Sequence, residues 1–309
     1  MLTLTFLGTS AARPTVERSV SAIALHREGE TLLFDCGEGT QRQMMKYGVG
    51  FTLSDVFFTH FHSDHYLGFV GLVRTLGLQG RTEPMSVWGP KGAHRILGVM
   101  LDAGYERSPF EVVINEVEPG QVLNRGEYDL EVLPADHGSH AVGWVLRERD
   151  RLGRFDPDKA RELGIPEGPL WGRIHKGETI TVEGGKAGSR EVRPEDLVGP
   201  PRPGRLVVIS GDTRPSETLV RLAEGADLLV HEATFSHEEQ DRAVETKHST
   251  AQEAAQVALA ARVRRLVLTH VSARFSVGAE TLQDEARAVF PETVVARDGL
   301  EVDVPFTER

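Results

Sequence analysis

Four residues able to give a lone pair to a cation fall within six positions, at His60-Phe61-His62-Ser63-Asp64-His65. Neutral imidazole and carboxylate suit a borderline divalent ion such as zinc. The apolar Val56-Phe57-Phe58 before them reads as a buried strand, so the cluster begins where the chain leaves a sheet. His60 and His62, two positions apart, can face the same way. A turn after them then brings Asp64 and His65 to the other side of one cavity.

Three more apolar runs of strand length end on a ligand type. Residues 130–133 lead through Pro134-Ala135-Asp136 to His137, residues 206–209 through Ser210-Gly211 to Asp212, and residues 266–268 through Thr269 to His270. Polar residues at the ends of apolar strands are how a rigid scaffold gathers distant ligands on one rim. The expected set is His60, His62 and His137 for one ion and Asp64, His65 and His270 for a second, with Asp212 bridging. Each ion keeps an open position for water, as a catalytic site requires. Gly211 would permit close backbone approach there.

Two further positions carry acid–base chemistry. His231-Glu232-Ala233-Thr234 follows a strand at 228–230, and His248-Ser249-Thr250 precedes a helical pattern at 251–261. Ser249 or Thr250 is accounted for as a helix N-cap, but His248 is not. A histidine at the rim can protonate a leaving group, with Glu232 holding its tautomer. Asp136 and His140 are read as outer neighbours of a ligand or solvated groups, and His26, His94, His175 and His237 as ordinary residues.

These residues need a scaffold. Strand patterns recur at 2–7, 22–25, 31–34, 56–58, 86–88, 111–114, 130–133 and 142–146, with helical patterns at 67–76 and 93–101. Strands and helices then alternate: 206–209, a helix after Pro215, 228–230, 251–261, 266–268 and 280–289, with closing strands at 294–296 and 300–304. Two halves of this kind predict an α/β sandwich, sheets packed face to face with helices outside. No short period repeats. The segment 150–203 breaks the rhythm with many Gly, Pro and charged residues, and is read as an excursion from a single domain spanning 1–309.

Composition narrows the class. With 309 residues, 39% hydrophobic and 26% charged, the chain reads as an ordinary globular protein. Its single cysteine, Cys36, excludes an internal disulfide and a thiolate-rich zinc site. No apolar run reaches a membrane span and the first residues lack a signal-peptide pattern, so a cytoplasmic enzyme without membrane association is expected. A net charge of −11 argues against nucleic acid at first sight. Between Arg147 and Asp196, however, 11 basic and 11 acidic residues balance, so the excess acid lies elsewhere.

The cluster at 60–65 and the later strand-end ligands resemble the metallo-β-lactamase superfamily. Within it, the chain is most similar to the ribonuclease Z family of tRNA 3′-processing endonucleases. The likeness rests on Phe6-Leu7-Gly8-Thr9-Ser10, Leu33-Phe34-Asp35-Cys36-Gly37-Glu38-Gly39-Thr40-Gln41, Ser210-Gly211-Asp212-Thr213-Arg214, His231-Glu232-Ala233-Thr234-Phe235 and His248-Ser249-Thr250. The resemblance implies an αββα sandwich with a protruding arm at 150–203, two divalent ions per subunit (zinc, with manganese or iron as alternatives), a precursor-tRNA substrate and a homodimer. It also implies that Gly164-Ile165-Pro166-Glu167-Gly168-Pro169-Leu170 and Lys176-Gly177-Glu178 belong to a tRNA-gripping arm, so Gly168, Pro169 and Lys176 are expected substrate contacts. Arg18 joins them from a Pro-x-Lys-x-Arg-Asn loop, which here reads Pro14-Thr15-Val16-Glu17-Arg18-Ser19, with Val16 and Ser19 departing from the pattern. By the same resemblance Asp64 is a ligand and proton acceptor, and His248 the proton donor, oriented by Glu232. Two readings compete: a small-molecule phosphodiesterase or sulfatase on the same site, and an RNA-binding protein with an inert site.

Overall fold

Most strands of this chain are buried on both faces, which requires a sheet covered by helices on one side and by a second sheet on the other. The computed structural model describes residues 1–307 except 106, 139 and 184–188. Its first sheet runs Glu301–Asp303, Leu2–Gly8, Ala22–Arg27, Glu30–Phe34, Asp55–Phe57, Met85–Pro90, Val112–Val117. Pairing is antiparallel up to Glu30–Phe34 and parallel after it. The second sheet runs Thr293–Val295, Leu266–Thr269, Leu228–Glu232, Leu206–Ile209, Val142–Glu148, Tyr128–Pro134, Val122–Asn124. Its first four strands are parallel, with Val142–Glu148 antiparallel to the fourth.

Three cores follow from this layering. Phe6, Phe34, Phe57, Trp144 and Val230 meet between the sheets. Leu229 and Leu268, with Ala254, Ala258 and Leu282 of the helices Ala251–Ala260 and Glu280–Val289, fill the space behind the second sheet. Phe58, Phe69, Leu72 and Leu97 do the same behind the first, under the helices Phe69–Leu78 and Ala93–Asp102. The architecture is an αββα sandwich, as expected.

The helix expected at 67–76 is Phe69–Leu78, and a separate short helix, Ser63–Tyr66, precedes it. They are separated by Gly68, where a Cβ would stand 2.0 Å from the Gly37 carbonyl oxygen. The backbone is pressed against the Gly37 loop there, and the short first element carries Asp64 and His65. The helix Thr40–Lys46 had no expectation attached to it.

Residues Glu148–Gly204, with the chain end from Phe306, form a second compact unit. The sequence shows only fragments of apolar pattern there. The unit nevertheless has three short helices, Pro157–Glu162, Pro169–His175 and Pro194–Leu197, and a hairpin of Ile180–Glu183 with Ser189–Val192. Ala160, Ile165, Ile174, Ile180, Val192 and Leu197 make its small core. Each helix opens on a proline, whose fixed φ and missing N–H suit the first helical position, but none is long enough for a 3.6-residue period to be read. The hairpin's residues 184–188 lie outside the described residues. No described helix is long and apolar enough to cross a membrane.

Candidate metal centre

The strand ends converge as their shared context predicts. His60 Nε2 stands 3.0 Å from His62 Nδ1, and His137 Nε2 stands 3.1 Å from the same atom. On the other side, His65 Nε2 is 3.3 Å from His270 Nε2, which is 3.2 Å from Asp64 Oδ2. Asp212 Oδ2 reaches both groups, at 3.6 Å from His60 Nε2 and 3.4 and 3.3 Å from the Nε2 atoms of His65 and His270. Asp212 owes its place to Gly211, at φ 62°, where a Cβ would meet the Val142 carbonyl oxygen at 2.7 Å. Tetrahedral zinc with ligands at about 2.0–2.1 Å sets neighbouring ligand atoms roughly 3.3 Å apart. The spacings match, and the two groups hold seven expected ligands.

The outer hydrogen bonds decide which ring nitrogens are bare. His137 Nδ1 donates to the Lys247 carbonyl at 2.8 Å, and His65 Nδ1 to Asp35 Oδ2 at 2.8 Å. Thr59 gives its hydroxyl proton to Asp35 and so accepts from His60 Nδ1 at 3.1 Å. Thr234 likewise gives its proton to Glu232 and accepts from His270 Nδ1 at 2.9 Å. In the neutral rings of His60, His65, His137 and His270 the Nε2 atoms therefore carry lone pairs, all directed at one another and at two carboxylates. A donor set with no donor proton is satisfied by a cation, and the residues fit a pair of divalent ions.

Charge states agree with this. Burial opposes ionisation of Asp212, yet His270, His65 and His60 hold it well below the usual carboxylate range. Asp64 is lowered in the same way, against burial, by His270 and His65. Burial pushes His60 and His137 down, so both are neutral, the form in which imidazole binds a metal. Burial also opposes a charge on His65, but Asp212 and Asp35 raise its pKa well above the ordinary value. The same carboxylates that favour a proton on His65 favour any cation placed among them.

Beside the cluster, His248 Nδ1 donates to Glu232 Oε1 at 2.8 Å. Glu232 is held in turn by the N–H groups of Thr213 and Thr234. Burial works against the charged ring, but Glu232 raises the His248 pKa to about 9. Its Nε2 remains free, and the ring lines a cavity of about 470 Å³ with His62, Asp64, Asp212 and His270. The position of His248 depends on Arg214, whose Nη1 donates to the His248 carbonyl at 2.5 Å. Arg214 forms a two-pronged pair with Glu253, which itself caps the helix Ala251–Ala260 with Thr250. Arg214→Met should therefore displace the His248 ring and lower the catalytic rate on the order of 10- to 100-fold, without loss of bound metal. Steady-state rates beside elemental metal content check this, and a full rate would show that His248 is held by other contacts.

Asp35, Thr59, Thr234, Arg214 and Glu253 had no role in the sequence reading. Asp35 and His270 sit at positive φ, 58° and 56°, a conformation that costs a non-glycine residue about 1–3 kcal/mol and collects at functional sites. Asp35 ends the strand Glu30–Phe34, so the strand-end rule that found His137 and Asp212 could have found it.

One expected substrate contact is corrected. The Arg18 guanidinium is buried, donating to Thr9 Oγ1 at 2.7 Å and the Ala296 carbonyl at 2.5 Å. It ties the N-terminal loop to the second sheet's edge and presents nothing to RNA. Gly168, Pro169 and Lys176 lie exposed around the helix Pro169–His175 of the second unit.

The chain is 58% identical over 309 residues to the ribonuclease Z of Gemmatimonas aurantiaca, covering 99% of this chain and 97% of that protein. It is 52% identical to that of Myxococcus xanthus, over 100% of this chain and 99% of the relative. Among solved structures, human tRNase Z, short form, matches with a TM-score of 0.69 at 27% identity, covering 98% of this chain and 99% of the other. YhfI of Bacillus subtilis, a metallo-β-lactamase fold protein, shares the fold at 18% identity with a TM-score of 0.68, covering 98% of this chain and 100% of that one. A family profile described as Anti-Pycsar protein Apyc1 matches residues 2–140, which carry five of the seven expected ligands. With identity of this level running from end to end, the chain belongs to the ribonuclease Z family.

Proposed function

We propose that the site at His60–His65, His137, Asp212 and His270 cuts precursor tRNA at its 3′ end, with water as the nucleophile. The chain is a metal-dependent hydrolytic endonuclease that processes tRNA 3′ ends. The observation that carries the mechanism is the convergence of five histidines and two carboxylates on one cavity, with His248 bonded to Glu232 at its edge. Divalent ions held by these histidines and carboxylates would supply an activated water and offset the charge of the attacked phosphate.

The chain's own residues do the rest. Asp64, held by the Ala12 N–H at 2.7 Å from Oδ2, accepts the proton of the attacking water. His248 protonates the departing ribose 3′-oxygen, and Glu232 keeps the ring charged and aimed. The products are a tRNA with a free 3′-hydroxyl and a trailer with a 5′-phosphate. Because water attacks, no 2′-hydroxyl takes part.

Zinc as the metal, two ions per subunit, a homodimer and a cytoplasmic location belong to the same proposal. Two ligand groups, His60–His62–His137–Asp212 and Asp64–His65–His270, support the count, Asp212 Oδ2 also lying 3.4 and 3.3 Å from His65 and His270 Nε2, and the His-rich donor set supports zinc over harder ions. The inserted arm at 150–203 would grip the tRNA body through the face around Gly168, Pro169 and Lys176. The test is a precursor tRNA with a 3′ trailer, incubated with and without chelator, and the cut mapped. A single chelator-sensitive cut at the acceptor end is expected. No cut by metal-loaded protein that still hydrolyses bis(p-nitrophenyl) phosphate would favour a small-molecule phosphodiesterase.

A further inference from the structure

Three arginines, Arg13, Arg242 and Arg274, line the cavity that opens on the ligand cluster. Arg274 is paired with Glu239. Arg13 and Arg242 are exposed, and among the described residues neither guanidinium has a hydrogen-bond or ion-pair partner. In a chain of net charge −11, two unneutralised cations at one opening call for an anionic guest.

Their surroundings differ. Arg242 rests with its Cζ 5.6 Å from the centre of the Phe235 ring, and that ring lies 6.1 Å from the ring of His248. An aromatic face holds a guanidinium in place while leaving all its N–H donors free, the geometry that suits two-pronged contact with a phosphate. Arg13 follows Ala12, whose N–H bonds Asp64. One free cation thus stands on the His248 side and one on the Asp64 side. Within the loop 14–19, Arg18 is buried and Val16 is 98% exposed and uncharged, so Arg13 is the cation that this end of the chain presents to the cavity.

We propose that Arg242 and Arg13 grip the backbone phosphates flanking the scissile one, Arg242 on the tRNA side and Arg13 on the trailer side. The assignment rests on the tRNA reading above. The leaving 3′-oxygen belongs to the last tRNA nucleotide, so groups beside His248 face the tRNA strand. The trailer's 5′-oxygen stays on phosphorus and diverges from the departing 3′-oxygen, so the cation away from His248, on the Asp64 side, is assigned to the trailer.

Steady-state cleavage by Arg13→Gln and Arg242→Gln tests this, using precursor tRNAs with one neutral methylphosphonate linkage just before or just after the scissile phosphate. Each variant should lose about tenfold in kcat/KM through KM. Each should also flatten the log–log salt dependence by about 0.7 per contact removed. Arg242→Gln should cause no further loss on the substrate neutralised on the tRNA side, and Arg13→Gln none on the one neutralised on the trailer side. Arg13→Lys and Arg242→Lys should keep the salt slope. Melting temperature and metal content establish that each variant is folded and loaded. Unchanged KM and salt slope, or losses that add fully on every substrate, would overturn the proposal. A metal-loaded wild type that hydrolyses a small diester but leaves every precursor uncut would overturn the tRNA reading and this assignment with it.

Discussion

Asp64→Ala should reduce tRNA cleavage on the order of 10⁴-fold or more, while precursor binding stays within a few-fold. Asp64 combines three functions in one buried side chain. It stands in the ligand group with His65 and His270, it fixes the N-terminal loop through the Ala12 N–H, and in the proposed mechanism it takes the proton of the attacking water. No neighbour can replace it, because the other carboxylate at the centre, Asp212, already faces both ligand groups. Losing the Ala12 N–H tie beside Arg13 only partly displaces that cation, so precursor binding should weaken a few-fold at most. Single-turnover cleavage beside a filter-binding isotherm and elemental metal content separates the two effects. Activity near the wild-type level would refute the placement of the chemistry at this cluster.

His248→Ala carries the second large effect, a loss of about 10²–10⁴ in kcat, the range for removing a positioned general acid. The loss should depend on the leaving group. A ribose 3′-oxygen departs as a strongly basic alkoxide unless protonated, whereas nitrophenolate leaves readily without a proton. Cleavage of tRNA should therefore suffer far more than hydrolysis of bis(p-nitrophenyl) phosphate. Equal losses on both substrates would show that His248 holds the site together rather than supplying a proton.

The pH profile adds an independent sign. Glu232 lifts His248 from 6.5 to about 9 against the effect of burial, and bound divalent ions nearby pull it back down. A general acid works while protonated, so the rate should fall on the alkaline side, with a limb between these two values. In Glu232→Gln the main raising interaction is gone and the limb should move to lower pH. A limb that stays in place in that variant would remove Glu232 from the pairing.

The metal centre was legible in the sequence for a specific reason. Ligands at strand ends inherit their direction from the sheet, because strands of one sheet finish along one rim. His60 to His65, His137, Asp212 and His270 needed only that strands such as 206–209 and 266–268 be recognised from apolar runs, and these runs are long enough to read. The sandwich itself was legible on the same ground, from the alternation of strand-length and helix-length patterns. The pairing of His248 with Glu232 was readable because both residues flank well-marked elements.

The tautomer-setting groups were not legible. Thr59 and Thr234 are common residues whose roles depend on where the hydroxyl proton goes, and that follows from Asp35 and Glu232 lying within reach across separate segments. Arg214 and Glu253 meet across 39 positions. The sequence offers no period or spacing that would pair them.

The N-terminal loop shows the same division most plainly. The type and order of its residues, Arg13-Pro14-Thr15-Val16-Glu17-Arg18, follow from the sequence alone, as do the ligand set and the kinship of the chain. Which of the two arginines faces the cavity was decided by the tertiary structure. Arg18 is drawn into the protein by Thr9 and the carbonyl of Ala296, a residue 278 positions away, and Arg13 is left at the cavity. In a strand or helix, backbone periodicity sets the direction of a side chain. In a loop that direction is set by whichever distant groups satisfy it, and those are known only once the chain has folded.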